Sequence, residues 1–295
     1  MPALFGTGLQ RAATACPAIF QTSRTHLRRP SVNPRDASEY LEFAYRMALL
    51  AGQAILPHFR EIIDVEDKRN ALGYDPVTIA DRAAEEVIRS EIARAHPDHG
   101  IHGEEQGKQS GSSPLTWVID PIDGTRSFIL GQLHWATLIA LHDGERPAIG
   151  VVHQPYVGET FLGTQGGLAE WRRGGERRTL RTRACSSIED AVVATTDPRH
   201  FQSSRQLAAY KTITGPARLT RFGGDCYCYT QLAMGFVDMV VETGLQPYDV
   251  QALIPLIEAA GGAISDWSGG PCDQGGDVFA CGDRELHARV LKLLA

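Results

Sequence analysis

The sequence lacks an apolar run long enough to span a membrane, and it has no excess of positive charge. A membrane-spanning helix needs about 20 consecutive apolar residues, so we expect no membrane partner. The formal net charge of −6 argues against a general nucleic-acid binder, which would present a basic surface. The arginines at 172–183 are interpreted as the solvated edge of strands. A nucleic-acid patch is the alternative, although Trp171 is the one aromatic residue that accompanies them.

Cysteine and histidine pairs with metal-site spacing are also missing. The six cysteines are scattered, and the close pair Cys226 and Cys228 does not have the spacing of a zinc site. None of the ten histidines belongs to an HExxH motif. We therefore expect free thiols in a reducing cytosol, and the sequence argues against a zinc hydrolase.

The first 35 residues contain no aspartate or glutamate, whereas they contain five arginines and several serines and threonines. This composition is typical of an organellar transit peptide. A disordered tail and an extension from a misplaced start codon have the same composition, so both alternatives stay open. We place residues 1–36 outside the fold and expect a cytoplasmic protein, unless this segment directs the chain to an organelle.

The remaining residues predict a layered α/β protein. The length allows one large or two modest domains, and we expect a single folded region at 37–295 with subdomains at about 37–184 and 185–295. A capping box formed by Asp36 and Glu39 predicts the start of the first helix. In the first half, β-prone runs at 136–142 and 148–153 flank an Asp-Gly pair, which predicts a hairpin in an antiparallel sheet.

Strands alternate with helices in the second half, which indicates a mixed sheet covered on both faces. One of these helices is expected from Asp249 through Ala260. Pro255 lies inside it and should bend it, because proline removes a backbone hydrogen bond.

The segment at 117–125 carries the clearest chemical pattern, Trp-Val-Ile-Asp-Pro-Ile-Asp-Gly-Thr. A β-prone run ends in Asp120 and Asp123, with the carbonyl of Ile122 between them. Mg²⁺ prefers such oxygen ligands and is often held by carboxylates together with a substrate phosphate. The amides of Gly124 and Thr125 could form an anion-binding nest at the start of a helix. The segment indicates metal and phosphate binding, and an ordinary turn after a strand is the alternative.

Other acidic residues lie at the predicted boundaries of helices and strands. Asp81, Asp225 and Asp249 each stand where a helix begins, so each has a capping role as its alternative. Glu104 is followed by Glu105, and adjacent glutamates are usually solvated surface. The residues by themselves do not decide between these roles and a shared site.

The ordered set of motifs resembles the inositol monophosphatase family of Mg²⁺-dependent, lithium-sensitive phosphatases. Asp120-Pro-Ile-Asp-Gly-Thr125 is accompanied by Gly103-Glu104-Glu105 upstream and Pro247-Tyr248-Asp249 downstream, and the resemblance extends from about residue 41 to the C-terminus. It implies an αβαβα sandwich, a small-molecule phosphate ester as substrate and, commonly, a homodimer.

The resemblance also implies the metal ligands. One Mg²⁺ would be held by Glu104, Asp120 and the Ile122 carbonyl. A second would be held by Asp120, Asp123 and Asp249.

A third, weaker Mg²⁺ site through Glu104 and Asp81 is an open alternative. The catalytic residues implied by the resemblance are Asp81, Glu104 and Thr125, which hold a water for in-line attack on phosphorus without a phosphoenzyme. Lys68 is the nearest candidate for a lysine that the family carries in a loop near the metals.

The substrate is expected to be selected by residues of the second half. The resemblance places Glu242 and Asp225 against the leaving group, and two carboxylates suit a cationic alcohol better than a neutral polyol because an unpaired buried acid is costly. Arg221 and its neighbours resemble the histidinol-phosphatase branch of the family. The expected substrate-binding residues are Glu104, Ile122, Asp123, Gly124, Thr125, Arg221, Asp225, Glu242 and Asp249.

We therefore predict a histidinol-phosphatase that acts in histidine biosynthesis. The alternatives are an inositol-1-monophosphatase, a 3′-phosphoadenosine nucleotidase or sugar bisphosphatase, and a catalytically silent regulatory relative.

Overall fold

The helices of the chain cover both ends of the fold and its centre. The computed structural model describes residues 32–68 and 76–294, so our expectations about residues 1–31 lie outside the described residues. The described α-helices are α1 (Pro34–Ile55), α2 (Ile79–Ala95), α3 (Thr125–Ile129), α4 (Ser204–Thr214), α5 (Asp225–Ala233), α6 (Pro247–Val250), α7 (Leu253–Ala259) and α8 (Arg284–Leu294). Short 3-10 turns occur at Leu56–His58 and Pro198–His200.

The described strands form three sheets. They are β1 (Val65–Asp67), β2 (Pro76–Thr78), β3 (Gly100–Gly103), β4 (Gly107–Gln109), β5 (Thr116–Asp123), β6 (Ala136–His142), β7 (Pro147–Gln154), β8 (Glu159–Thr164), β9 (Ala169–Arg173), β10 (Glu176–Thr179), β11 (Val192–Thr195), β12 (Leu219–Phe222), β13 (Met239–Leu245), β14 (Ala263–Asp266) and β15 (Gly276–Cys281). The large sheet has the order β10-β9-β8-β7-β6-β5-β3-β4, and the small sheet has the order β12-β11-β13-β15-β14. Strands β1 and β2 pair separately.

The large sheet is antiparallel except for one pair. Strands β3 and β5 run parallel, with Gly103 opposite Ile119, so the expectation of a purely antiparallel first sheet was wrong here. The chain reaches β5 through β4 and a loop, and this longer connection makes the parallel pairing possible. The predicted hairpin of β6 and β7 is confirmed. The small sheet is mixed, as expected, with β11 parallel to both β12 and β13.

Helix α1 begins slightly earlier than the sequence pattern suggested. Asn33 is its N-cap, and the side-chain Oδ1 accepts hydrogen bonds from the amides of Arg35 and Asp36. Pro34 occupies the first helical position, where its missing N–H has no cost. The capping box predicted from Asp36 was therefore wrong, because the cap lies three residues upstream.

The elements stack as five alternating layers of helices and sheets. Helices α1 and α2 cover one face of the large sheet, with Trp117 and Ile119 of β5 in their shared core. Val118, between those two residues, faces the opposite side, where α5, α6 and α7 pack between the two sheets. Helices α4 and α8 cover the outer face of the small sheet. The predicted αβαβα sandwich is confirmed, whereas the boundary between two subdomains stays a prediction.

The expected helix from Asp249 to Ala260 is broken into α6 and α7. The break lies at residues 251–252, and Pro255 explains it, because its ring would collide with the carbonyl of Gln251 in a continuous helix. The break places Ala252 against the large sheet. A Cβ atom on Gly150 of β7 would lie 2.0 Å from the Ala252 carbonyl oxygen, so only glycine allows this approach. Among the described helices, none has the length and apolar character to cross a membrane.

Candidate active site

A β-bulge at the end of β5 directs two carboxylates to one side of the large sheet. Asp120 pairs with Leu138 and Asp123 pairs with Ala136, so three steps on β5 match two steps on β6. In a regular strand, side chains three positions apart point to opposite faces. The extra residue corrects this alternation. Asp120 and Asp123 consequently reach the same cavity.

The turn after β5 is held by a glycine and a threonine. Gly124 has a φ angle of 86°, and a Cβ atom there would lie 2.5 Å from the carbonyl oxygen of His134. Both facts require glycine at this position. The Thr125 hydroxyl donates a 3.0 Å hydrogen bond to the carbonyl of Ile122. This contact fixes the hydroxyl beside the two carboxylates, while the predicted anion nest stays a prediction.

Asp249 comes from the other side of the cavity. It is the third residue of α6, where its Oδ2 accepts a 2.7 Å hydrogen bond from the amide of Gln246, the residue that caps the helix. The N-cap role considered for Asp249 was therefore wrong. Carboxylate oxygens of Asp120, Asp123 and Asp249 lie within 4.8 Å of one another, which is the spacing of ligands around one cation.

Burial and mutual repulsion make this acidic cluster electrostatically unfavourable by itself. Removal from water, and then the neighbouring charges of Glu104 and Asp123, raise the pKa of Asp120 well above its ordinary value. Burial raises the pKa of Asp123 to about 6, although the Cys226 amide, 2.6 Å from Asp123 Oδ2, opposes the shift. Asp249 has a raised pKa for the same reasons. Such a cluster is stabilised by a bound cation.

Glu104 lines the same cavity from the turn that follows β3. The turn is anchored from below by Glu85 of α2, a fully buried carboxylate that accepts hydrogen bonds from the amides of Glu105 and Gln106 at 2.7 and 3.0 Å. Arg89 neutralises Glu85 across 2.7 Å. Sequence reasoning missed this support. Its signal was an acid and an arginine four residues apart on the buried face of an amphipathic helix.

Lys68 joins the two glutamates of this turn. Its Nζ lies 2.8 Å from Oε1 of Glu104 and 2.8 Å from Oε1 of Glu105. Burial alone would lower the pKa of Lys68, but the two carboxylates raise it well above its ordinary value. Burial raises the pKa of Glu105 to about 7. The structure thus places a lysine against Glu104, as the resemblance suggested.

Asp81 lies in α2, close enough to Glu104 for the charges to interact. Thr78 is the N-cap, and Asp81 Oδ2 accepts hydrogen bonds from the Thr78 amide and hydroxyl at 2.8 and 2.7 Å. An N-cap role for Asp81 was therefore also wrong. Its Oδ1 is buried and has no hydrogen-bond partner among the described residues. Burial, and to a smaller extent Glu104, raise the pKa of Asp81 to about 6.

Two further carboxylates line the same cavity. Asp225, at the start of α5, accepts a 3.2 Å hydrogen bond from the Ser127 hydroxyl, and Gly224 is the helix cap. Glu242 of β13 is 2 % exposed, and its Oε1 accepts from the Thr196 amide and hydroxyl at 2.7 and 3.0 Å. Burial, and then repulsion from Asp123, raises the pKa of Asp225 to about 7. Burial, and then chiefly repulsion from Asp225, raises the pKa of Glu242 to about 8.

The cavity measures about 630 Å³ and contains both carboxylate groups. Asp225 adjoins the turn after β5, since a Cβ atom on Gly124 would lie 3.3 Å from the Cβ atom of Asp225. Arg126 and His200 also line it, with Arg126 Nη1 3.0 Å from His200 Nε2. The space is sufficient for a phosphate and a small alcohol.

Comparison with known proteins identifies the family of the chain. A family model described as the inositol monophosphatase family matches residues 36–295. The chain is 36% identical over 292 residues to the bifunctional phosphatase IMPL2, chloroplastic, of Arabidopsis thaliana, covering 92% of this chain and 82% of the relative. It is 33% identical over 265 residues to a histidinol-phosphatase of Streptomyces coelicolor, covering 88% and 98%. The chain belongs to the inositol monophosphatase family.

The fold comparison supports the same assignment. A solved inositol monophosphatase from Zymomonas mobilis superposes with a TM-score of 0.77 at 36% sequence identity, covering 87% of this chain and 98% of that one. Inositol monophosphatase family proteins are metal-dependent phosphatases, typically with Mg²⁺. The acidic cluster of this member could bind such an ion.

The donor set fits a hard cation. Every side-chain donor of the cluster is a carboxylate oxygen, which Mg²⁺ prefers over the nitrogen and sulfur donors typical of zinc sites. Oδ1 of Asp81 is a further oxygen, and no group in the described part of the chain hydrogen-bonds to it. The structure therefore brings together most residues that this family member was predicted to use.

Asp81 does not line the cavity, although its charge interacts with that of Glu104. Arg221 is the other predicted site residue that does not line it. It lies exposed on β12, the edge strand of the small sheet, and does not line the cavity. Its part in substrate binding stays a prediction. Arg126 and His200, which were not predicted, line the cavity instead.

Proposed function

We propose that this chain is a Mg²⁺-dependent phosphomonoesterase that converts L-histidinol phosphate and water into L-histidinol and phosphate, a reaction of histidine biosynthesis. The observation that carries the proposal is a pair of carboxylates, the half-buried Asp225 and the buried Glu242, which line the same cavity as the acidic cluster. A cationic alcohol would pair with them, whereas a neutral polyol would leave both acids without a compensating charge. The relative in Streptomyces coelicolor is named a histidinol-phosphatase.

The acidic cluster would hold the cations. We propose one Mg²⁺ on Glu104, Asp120 and the Ile122 carbonyl and another on Asp120, Asp123 and Asp249, with a third at Glu104 and Asp81 as an alternative. When bound, Mg²⁺ lowers the pKa of water, grips phosphate oxygens and stabilises charge on the attacking and departing oxygens. We also propose that lithium inhibits this enzyme, because its sequence resembles a lithium-sensitive family of phosphatases.

Thr125 and Asp81 would orient the attacking water. The Thr125 proton is engaged by the Ile122 carbonyl at 3.0 Å, so its oxygen remains free to accept a hydrogen bond from water. Asp81 Oδ2 accepts a hydrogen bond from the Thr78 amide, whereas Oδ1 has no partner in the described chain. Positioning and electrostatics supply most of the catalysis in phosphoryl transfer, so no residue needs to act as a nucleophile.

The decisive measurement is phosphate release from L-histidinol phosphate, inositol 1-phosphate and fructose 1,6-bisphosphate, each with Mg²⁺ and with a chelator. We expect Mg²⁺-dependent release that is fastest with histidinol phosphate. Asp225→Asn should lower kcat/KM for histidinol phosphate by about tenfold or more and inositol phosphate hydrolysis much less. Asp190→Asn, the same change at an exposed position, is the matched control. An equal loss on both esters would refute the cationic-pocket argument.

Inositol-1-monophosphatase activity is the second candidate. It is favoured by the superposition on the inositol monophosphatase of Zymomonas mobilis. Faster hydrolysis of inositol 1-phosphate than of histidinol phosphate would select it. Absence of Mg²⁺-dependent release from every ester would instead favour a silent regulatory relative.

Assembly and location are further parts of the proposal. We propose a homodimer, which light scattering on the purified chain would distinguish from a monomer. We propose a cytoplasmic location unless residues 1–36 direct the chain to an organelle. A fluorescent fusion with and without these residues tests that choice.

A further inference from the structure

Tyr229 presents a buried hydroxyl that the rest of the fold does not use. The residue is 2 % exposed, and its ring packs in the core between the two sheets. Its hydroxyl has no hydrogen-bond partner among the described residues. A buried phenol hydroxyl normally finds a partner, since leaving it unpaired costs free energy. The missing partner therefore points to a ligand.

The position of Tyr229 places that ligand in the proposed substrate cavity. Tyr229 lies four residues after Asp225 on α5, so the two side chains share one face of the helix, and both line the cavity with Glu242. Thr196 donates its amide and hydroxyl protons to Glu242 Oε1. The Tyr229 hydroxyl, in contrast, is buried and has no partner among the described residues, although Tyr229 lines the cavity.

The chemistry of the phenol complements that of the carboxylates. When a bound cation keeps Asp225 and Glu242 ionised, they only accept hydrogen bonds, so they suit an ammonium or another N–H donor. Burial, followed by the charge of Glu242, raises the pKa of Tyr229 well above its ordinary value. The hydroxyl stays protonated at neutral pH and can donate. It therefore supplies what the carboxylates cannot, a proton for an acceptor nitrogen.

We propose that Tyr229 is a specificity-determining residue whose hydroxyl donates a hydrogen bond to the acceptor nitrogen of a neutral imidazole in the leaving group. This inference rests on the proposed function. It adds a donor to the two carboxylates and so distinguishes an imidazole-bearing alcohol from a simple amino alcohol. Tyr229 touches the leaving group and takes no part in the attack on phosphorus.

The test is Tyr229→Phe, which removes only the hydroxyl. We expect kcat/KM for L-histidinol phosphate to fall by about tenfold. Hydrolysis of O-phosphoethanolamine, which has an ammonium but no acceptor nitrogen, should stay within about twofold of the wild type. The melting temperature of the ligand-free variant should be equal or higher, because an unpaired buried hydroxyl is removed.

The chain offers a matched control two residues away. The Tyr227 hydroxyl donates a 2.5 Å hydrogen bond to Glu159, and Tyr227 does not line the cavity. Tyr227→Phe removes the same atom from a satisfied position. It should lower the melting temperature without changing the preference between the two esters.

The outcomes separate this inference from the function on which it rests. If the wild type does not hydrolyse histidinol phosphate, the proposed function fails. If the wild type does so and Tyr229→Phe is unchanged, or if the variant loses equally on both esters, the proposed role of Tyr229 is refuted. Loss of thermal stability in Tyr229→Phe would also count against it, because it would show that the hydroxyl has a partner within the fold.

Discussion

Single residues in this site serve the fold and the chemistry with different atoms. Asp81 and Asp249 are both the third residue of a helix, and each uses Oδ2 to accept the amide of the capping residue. The helix start thereby positions the carboxylate. For Asp81, the other oxygen is left without a partner in the described structure. Completing a helix cap and binding a metal are therefore compatible roles for such a residue.

At the scale of single residues, we expect a substitution of Asp249 to raise stability and lower activity. Asp249→Asn removes a half-buried charge from a like-charged cluster, so the metal-free protein should become more stable, by about 1 kcal/mol. Activity should fall by a factor of about 10³, because a metal ligand is lost. Thermal unfolding in a chelator and steady-state rates measure the two effects.

Asp283→Asn is the comparison for that experiment. Asp283 accepts amide hydrogen bonds at the start of α8, outside the cavity, and these lower its pKa. The variant should be slightly less stable and fully active. Metal-free Asp249→Asn that is less stable than the wild type would contradict the assigned repulsion.

His153 predicts the acid sensitivity of the fold. Its ring is 4 % exposed, and burial lowers its pKa to about 4 from an ordinary value near 6.5. Above pH 6.5 both folded and unfolded chains hold it neutral. As the pH falls from 6.5 to 4, the unfolded chain takes up the proton first, so about 3 kcal/mol of stability is lost from this group.

Urea unfolding at several pH values measures this contribution. His153→Gln should flatten the dependence of the unfolding free energy on pH between 6.5 and 4. The exposed His134→Gln is the control and should leave the dependence unchanged. Equal slopes for the wild type and His153→Gln would contradict the prediction.

At the scale of elements, the site depends on two local devices. The bulge in β5 turns Asp120 and Asp123 to one side. The buried Glu85–Arg89 pair of α2 holds the turn that carries Glu104. Gly103 accommodates this arrangement, since a Cβ atom there would lie 2.2 Å from Glu85 Oε1. Metal ligands on different elements thus depend on supports that do not touch the metal.

The element scale predicts that Glu85→Ala is strongly destabilising. It leaves Arg89 buried without its partner and the turn amides unsatisfied, so the loss should be about 3–5 kcal/mol. Mg²⁺ affinity should fall as Glu104 loses its position. Glu85→Gln, which keeps an acceptor, should recover part of the Mg²⁺ affinity. Chemical denaturation and Mg²⁺ titration by calorimetry give the two quantities.

A pair on the same helix provides the control. Glu91 pairs with Arg94, whose side chain is largely exposed, and Glu91→Ala should cost less than about 1 kcal/mol. Its Mg²⁺ affinity should equal that of the wild type. A Glu85→Ala variant with unchanged Mg²⁺ binding would show that the turn does not need this anchor.

At the scale of the whole molecule, the site joins two sheets. Asp120 and Asp123 end β5 of the large sheet, whereas Glu242 lies in β13 of the small sheet. Asp249 lies in α6, and its neighbour Val250 packs in the core between the two sheets. A cation in the acidic cluster would therefore bind only the assembled fold.

Mg²⁺ should accordingly stabilise the whole molecule. A ligand that binds only the folded state adds about 2.7 kcal/mol at 100 times its Kd, which corresponds to a rise of roughly 5–10 °C in the melting temperature of a domain of this size. Differential scanning calorimetry with Mg²⁺ and with a chelator measures the rise. Asp123→Asn should abolish most of it, and a Mg²⁺ effect that survives in this variant would place the cation elsewhere.

The sequence by itself determined the family, the layered α/β class and most of the cavity. It did so because the acids follow β-prone or helical patterns at element ends, where sites are assembled. Local patterns also determined the β6–β7 hairpin, since an Asp-Gly turn and its flanking strands are neighbours along the chain.

Only the tertiary structure decided how these pieces function together. The bulge in β5, the parallel pairing of β3 with β5, the support by Glu85 and the unpaired hydroxyl of Tyr229 all depend on residues distant in sequence. The true caps at Asn33, Thr78 and Gln246 lie three residues before the acids that suggested them. The periodicity of apolar residues shows which face of a helix or strand is buried. Packing between elements decides which residues of another element contact that face.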